Sequence, residues 1–269
     1  MPALLRLSGR IALYCSFALL AACATRGPGG YIMDDSLTAT GQSSRAQFLV
    51  LHYTAADTPR SLHLLSREEV SAHYLITDDD PPRIFRLVDE DRSAWHAGHS
   101  QWRGRTWLNA SSIGIEIVNP GYTTQPDGSR LWHPYSPRQI DAALALAADI
   151  VQRHQIDPRN VVGHSDIAPQ RKQDPGPLFP WQEFAAHGLI AWPDNAALRA
   201  HRVRFERDGV PDVAWFQEQL ARVGYEVPRH GMLDEPTRNV VAAFQMRYRP
   251  QDIAGEPDRE TAALLAALP

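Results

Sequence analysis

The sequence predicts an α/β layer domain followed by a small all-α domain of three helices. Three observations point there. Short apolar runs rich in branched and aromatic residues recur between residues 47 and 163. One long amphipathic pattern, residues 136–155, interrupts them. From about Asp212 onward the apolar spacing is helical, broken only by Gly- and Pro-containing turns.

The chain opens with "MPALLRLSGRIALYCSFALLAAC". Arg6 and Arg10 precede an apolar run, Ile11 to Ala22, too short to span a bilayer comfortably and flanked like a secretory signal. It ends in Leu20-Ala21-Ala22-Cys23, which resembles a bacterial lipobox. Residues 1–22 are therefore expected to be a lipoprotein signal peptide, with Cys23 carrying lipid. The alternative is an ordinary secretory signal with Cys23 incidental. Ala24, where an Asp would suggest retention at the inner membrane, points to the outer membrane of a Gram-negative bacterium, facing the periplasm. Cys15 lies within the signal, so no disulfide is expected and the fold must rest on a hydrophobic core. The formal charge of -4, about -6 once Arg6 and Arg10 leave with the signal, argues against nucleic acid as a partner. A monomer is the default expectation.

Residues 23–45, rich in Gly, Ser and Thr, read as the lipidated Cys and a tether. "QFLVLHYT" (Gln47 to Thr54) has the composition of a buried strand, and Arg60 to Glu69 suits a helix. "SAHYLIT", "RIFRLVD" and "SIGIEIVN" are further strands. "SPRQIDAALALAADIVQRHQ" is the clearest helix. Ser136 is a good N-cap, Pro137 suits the first helical position, and Gln139 completes a capping-box spacing. Ile140, Ala143, Leu144, Ala147, Ile150 and Val151 give it one apolar stripe. "NVVGH" returns as a strand and "PWQEFAAHGL" as a terminal helix, closing a domain over residues 46–195. Residues 196–269 read as a linker and the helical domain, in which "GMLDEPTRNVV" and "GEPDRETAALL" share a form: Gly, then Asp, then a Thr that caps a helix. Read without regard to function, this module is a structural cap on the first domain.

Eleven histidines are too many to interpret singly, so position must choose among them. His52 closes the first apolar strand and His164 closes the last. Two imidazoles, one carboxylate and a fourth place open to water make a catalytic Zn²⁺ site. Asp174, beside Pro175 and Gly176, and Asp166 both compete for the carboxylate role, and spacing does not separate them. Glu116 stands amid the apolar residues of "SIGIEIVN". It is either a general base near a metal or an edge-strand side chain facing solvent. Lys172 is the only lysine in a chain that otherwise writes positive charge as arginine.

"VLHYTA", "SAHYLI", "AWHAG", "SIGIEIVN" and "VVGHSDIAPQRKQDPGPLFPW", in that order, resemble the type-2 zinc N-acetylmuramoyl-L-alanine amidases over roughly residues 45 to 190. The lipobox makes the chain similar to the outer-membrane lipoproteins of that family. Its C-terminal part, with Phe216-Gln217 and Phe244-Gln245, resembles the small helical peptidoglycan-binding module. The resemblance implies a mixed central sheet flanked by helices, and one Zn²⁺ per chain held by His52, His164 and Asp174. Glu116 would be the catalytic acid/base and Lys172 would complete the site. Trp95, His96, His73 and, more weakly, Asn109 are candidates for the substrate cleft. The implied reaction is hydrolysis of the amide between N-acetylmuramic acid and the L-alanine of the stem peptide. The alternatives are a non-catalytic peptidoglycan-recognition protein and a zinc peptidase cutting within the stem peptide.

Overall fold

The computed structural model describes residues 28–269 and the backbone of residues 25 and 26; the expected signal peptide and Cys23 lie outside the described residues. The described residues up to Ser43 belong to a unit of their own, in which Thr25–Arg26 pairs antiparallel with Ile32–Met33 and residues 28–43 are exposed. Residues 44–269 form a second, single compact unit.

The second unit is built on a five-stranded mixed sheet. Its strands are β1 (Phe48–Tyr53), β2 (Tyr74–Ile76), β3 (Ile84–Arg86), β4 (Ser112–Ile117) and β5 (Val161–Gly163). The order across the sheet is β5-β1-β4-β2-β3, parallel except for the antiparallel edge strand β3. Each expected strand is present. β4 is the middle strand, which removes the edge-strand reading of Glu116. Parallel strands need crossover connections, and two helices provide them. Helix α1 (Thr58–Arg67) joins β1 to β2 and α2 (Pro137–His154) joins β4 to β5. The Ser136–Gln139 capping box forms as its spacing requires. The α2 stripe packs on the sheet face that carries Leu49, Leu51, Ile113, Ile115 and Ile117.

The opposite face carries Phe48, Val50 and Val162, and its cover comes from farther along the chain. After β5 come the one-turn α3 (His164–Ile167) and α4 (Trp181–Ala186), then α5 (Asn195–Asp208), α6 (Val213–Val223), α7 (Glu235–Tyr248) and α8 (Arg259–Ala267). Phe48, Val50, Val162 and Ile167 share one buried cluster with Phe216, Leu220, Phe244 and Leu265. The helical module is thus a layer of the same core.

Two expectations need correction here. The stretch expected to be a linker forms α5, capped by Asp194, ahead of the three expected helices α6, α7 and α8. Phe205 is its one buried residue, and a helix polar on nearly all sides shows no stripe in sequence. The capping residues of α7 and α8 are Asp234 and Asp258, not the threonines. Thr237 and Thr261 are buried two places into their helices, where each hydroxyl accepts a glutamine amide, Gln217 at 2.9 Å and Gln245 at 3.1 Å. Each glutamine oxygen takes the N–H of the loop glycine, Gly231 or Gly255, at 2.8 Å. The two similar loops are therefore two copies of one side-chain-to-loop clamp. Gly255 is obligatory in its copy: φ is +74°, and a Cβ would lie 2.5 Å from the Arg238 carbonyl.

Candidate active site

Strand register explains why distant residues meet. His52 pairs with Glu116 across β1 and β4, and Gly163 of β5 pairs with Leu51. His164 therefore emerges beside His52, one residue past its strand. Three adjacent parallel strands deliver His164, His52 and Glu116 in a row at their carboxyl ends, where α/β sheets open their ligand crevices. The chain after α3 loops back, and the Ser165 N–H bonds the Asp174 carbonyl at 2.8 Å, which returns Asp174 to the two imidazoles.

The donor atoms converge. His52 Nδ1 lies 2.9 Å from His164 Nδ1 and 2.9 Å from Asp174 Oδ2, and His164 Nδ1 lies 3.1 Å from the same oxygen. All three residues are buried and could hold one metal ion. Donors placed tetrahedrally about a single Zn²⁺ sit roughly 3.3 Å from one another, given bond lengths near 2.0–2.2 Å. Two nitrogens and one oxygen at these separations fit such a cation. Burial, then the neighbouring His164, pushes the His52 imidazole down to about 4, so it is neutral with a lone pair to offer.

Glu116 stands beside this cluster, Oε1 at 4.0 Å from His52 Nδ1, with a side chain 14% exposed. Oε2 is buried with no hydrogen-bond partner among the described residues. Burial, and then the Asp174 carboxylate, push its carboxyl well above the usual range, and Lys172 opposes them. A buried, unsatisfied carboxyl of raised pKa is suited to taking and returning a proton. Lys172 is half-buried, and no hydrogen bond or ion pair engages its ammonium among the described residues. It lines the same cavity of about 220 Å³ as Glu116, His164 and Asp174.

The remaining residues singled out in the sequence take different places. Trp95 is 61% exposed on the cavity rim. His96 is 9% exposed and lies behind His52, its Nδ1 3.0 Å from His52 Nε2. His73 is fully buried, where its Nδ1 accepts the Gly114 N–H at 3.0 Å and its Nε2 lies 3.1 Å from the Arg92 carbonyl. Asn109 holds the loop, its Oδ1 accepting the Ala97 N–H at 2.8 Å. Asp166, the rival carboxylate, points away from the imidazoles. It accepts from Tyr225 at 2.6 Å, Arg247 at 2.7 Å and the Gly163 N–H at 2.8 Å. Sequence reasoning did not find the apolar wall from α1, Leu64 and Leu65. It also missed Ala55, which turns the chain past the site at φ +52°. Its place three residues beyond His52 was the one available signal for it.

Two imidazoles and a carboxylate that could hold one metal ion, with an unsatisfied glutamate and an ammonium on the same cavity, have the layout of a hydrolase site. Comparison with known proteins gives the family. The model of the N-acetylmuramoyl-L-alanine amidase domain matches residues 42–177, and a peptidoglycan-binding domain model matches residues 209–265. The chain is 46% identical over 270 residues to the N-acetylmuramoyl-L-alanine amidase AmiD of Escherichia coli K12, covering 95% of each. The solved complex of the E. coli AmiD with anhydro-N-acetylmuramic acid-L-Ala-D-γ-Glu-L-Lys matches at a TM-score of 0.81 and 44% identity, over 90% of this chain and 95% of that one. AmpDh3 of Pseudomonas aeruginosa, bound to an anhydromuramic pentapeptide, matches at 0.79 and 44% identity, over 87% and 95%. The chain belongs to the N-acetylmuramoyl-L-alanine amidase family, and it hydrolyses the amide between N-acetylmuramic acid and L-alanine in peptidoglycan stem peptides.

Proposed function

We propose that the chain is a zinc amidase that acts on muropeptides from a lipid anchor in the outer membrane. His52, His164 and Asp174 would hold one Zn²⁺ per chain. The observation that carries this is the convergence of their three donor atoms next to the unpartnered Glu116 Oε2. When bound, the zinc supplies Lewis-acid polarisation of the carbonyl and lowers the pKa of a water to about 7. Glu116 takes the proton of the attacking water and hands it to the departing amide nitrogen, which must leave as an amine. The Lys172 ammonium faces the carbonyl oxygen as charge accumulates there, stabilising what exists only on the way to the transition state. Trp95 would lie against the muramyl or peptide part of the substrate, a role its exposure on the cavity rim supports. The ligands of the E. coli and P. aeruginosa relatives support a muramyl peptide as substrate class. The lipobox ending at Cys23 supports the anchor, and a monomer facing the periplasm is the simplest assembly consistent with it.

Defined muropeptides test the reading directly. Mass spectrometry should find free peptides beginning with L-Ala, none after treatment with a chelator, and their return on adding Zn²⁺. Shortened peptides still attached to muramic acid, or release that ignores the chelator, would overturn it.

A further inference from the structure

We propose that His96 is a positioning residue that fixes the tautomer of His52. By the same logic, the strip His96–Ala97 orients both imidazoles of the proposed metal centre. The inference rests on the metal-site reading above.

A histidine that ligates through Nδ1 must carry its proton on Nε2, and that proton needs an acceptor. The nearest partner of His52 Nε2 is His96 Nδ1, at 3.0 Å. A neutral imidazole can accept there only if its own proton sits on Nε2. His96 Nε2 lies 3.1 Å from Ser112 Oγ, and that hydroxyl donates to the Leu108 carbonyl at 2.6 Å. A hydroxyl has one hydrogen, so towards His96 it can only accept. The direction of the whole chain follows from a backbone carbonyl that cannot donate: His52 Nε2–H to His96, His96 Nε2–H to Ser112, Ser112 O–H to Leu108. His52 Nδ1 is left with a free lone pair facing His164 and Asp174.

The second imidazole is set from the same strip. His164 Nε2 lies 3.2 Å from the Ala97 carbonyl, which only accepts, so Nδ1 of His164 is free as well. Asn109 fixes Ala97 through its N–H, and the Arg171 guanidinium donates to the same carbonyl. The strand beneath is shaped for this. A Cβ at Gly114 would lie 2.5 Å from Cγ of His96, so only glycine lets the ring lie flat against β4. The supporting partner of a metal-bound histidine is more often a carboxylate, carbonyl or water; here one of the two is a second neutral histidine.

The test uses the full-length protein and zinc affinity, read by competition with a chromogenic chelator. His96→Phe keeps a ring and removes the acceptor. Loss of such a partner typically weakens metal binding about 10–100-fold, and that range is expected here. His96→Asn places an amide oxygen where Nδ1 was and should stay within about threefold of wild type, by the same comparison. Zinc affinity of His96→Phe within twofold of wild type, or of His96→Asn as weak as His96→Phe, would overturn the proposal. A measurement on the zinc-loaded wild type needs no variant: ¹⁵N shifts of His96 should show the proton on Nε2, and a proton on Nδ1 overturns the relay. His164→Ala separates the two levels. If that change also leaves zinc affinity untouched, the metal-site reading itself fails; if it abolishes binding while His96→Phe does not, only the relay fails.

Discussion

Glu116 shows how far one side chain's meaning depends on its strand neighbours. In sequence it was equally a base and a solvent-facing edge residue. The difference lies in sheet order, which one strand's alternation does not contain, and β4 at the centre of the sheet puts the carboxyl against His52. Glu116→Gln keeps the volume and all three proposed ligands but cannot take a proton. It should retain one zinc per chain, by metal analysis, and lose about 10²–10⁴ in turnover. Lys172→Arg asks a different question. A guanidinium is a wide planar fork, whereas an ammonium concentrates its charge at one point. That variant should fold, bind zinc and lose about 10²–10³ in rate, and turnover near wild type would remove Lys172 from the mechanism. His52 and His164 were legible because each ends an apolar run. The choice of Asp174 over Asp166 was not, because it depends on which way a ten-residue loop returns.

At the scale of elements, α3 carries two unlike duties on one turn. His164 faces the cavity, while Asp166, two residues on, faces α7. The Asp166–Arg247 pair is 1% and 3% exposed, and the guanidinium also covers the Trp181 ring at 4.2 Å. Removing one partner of a buried pair leaves the other charge without compensation, which typically costs about 3–5 kcal/mol. Asp166→Ala should lower the unfolding free energy by that amount in urea; a loss below about 1 kcal/mol would mean that Arg247 finds water instead. Helix α2 was readable to its cap because Ser136, Pro137 and Gln139 act locally. Helix α5 was not, because what holds it is packing along α8 and the burial of Phe205.

For the whole molecule, composition suggested two parts with a boundary near residue 195, and the structure gives them one core. Sequence shows where apolar spacing changes, but not that Val50 and Val162 need Phe216 and Phe244 to cover them. A truncation at that boundary cuts through a packed layer. The proposed lipid anchor at Cys23 belongs to this scale too. Cys23→Ser should move the protein from the membrane pellet to the soluble periplasmic fraction, and an unchanged pellet would remove the lipid anchor. The Asp166 contacts also bear on domain shuffling. Because Arg247 and Tyr225 are inserted beside the turn that carries His164, the join between the two halves is keyed rather than generic. A helical module borrowed from another wall-binding protein would need the same arginine and tyrosine at its face, or it would strand a carboxylate one turn away from the cutting site.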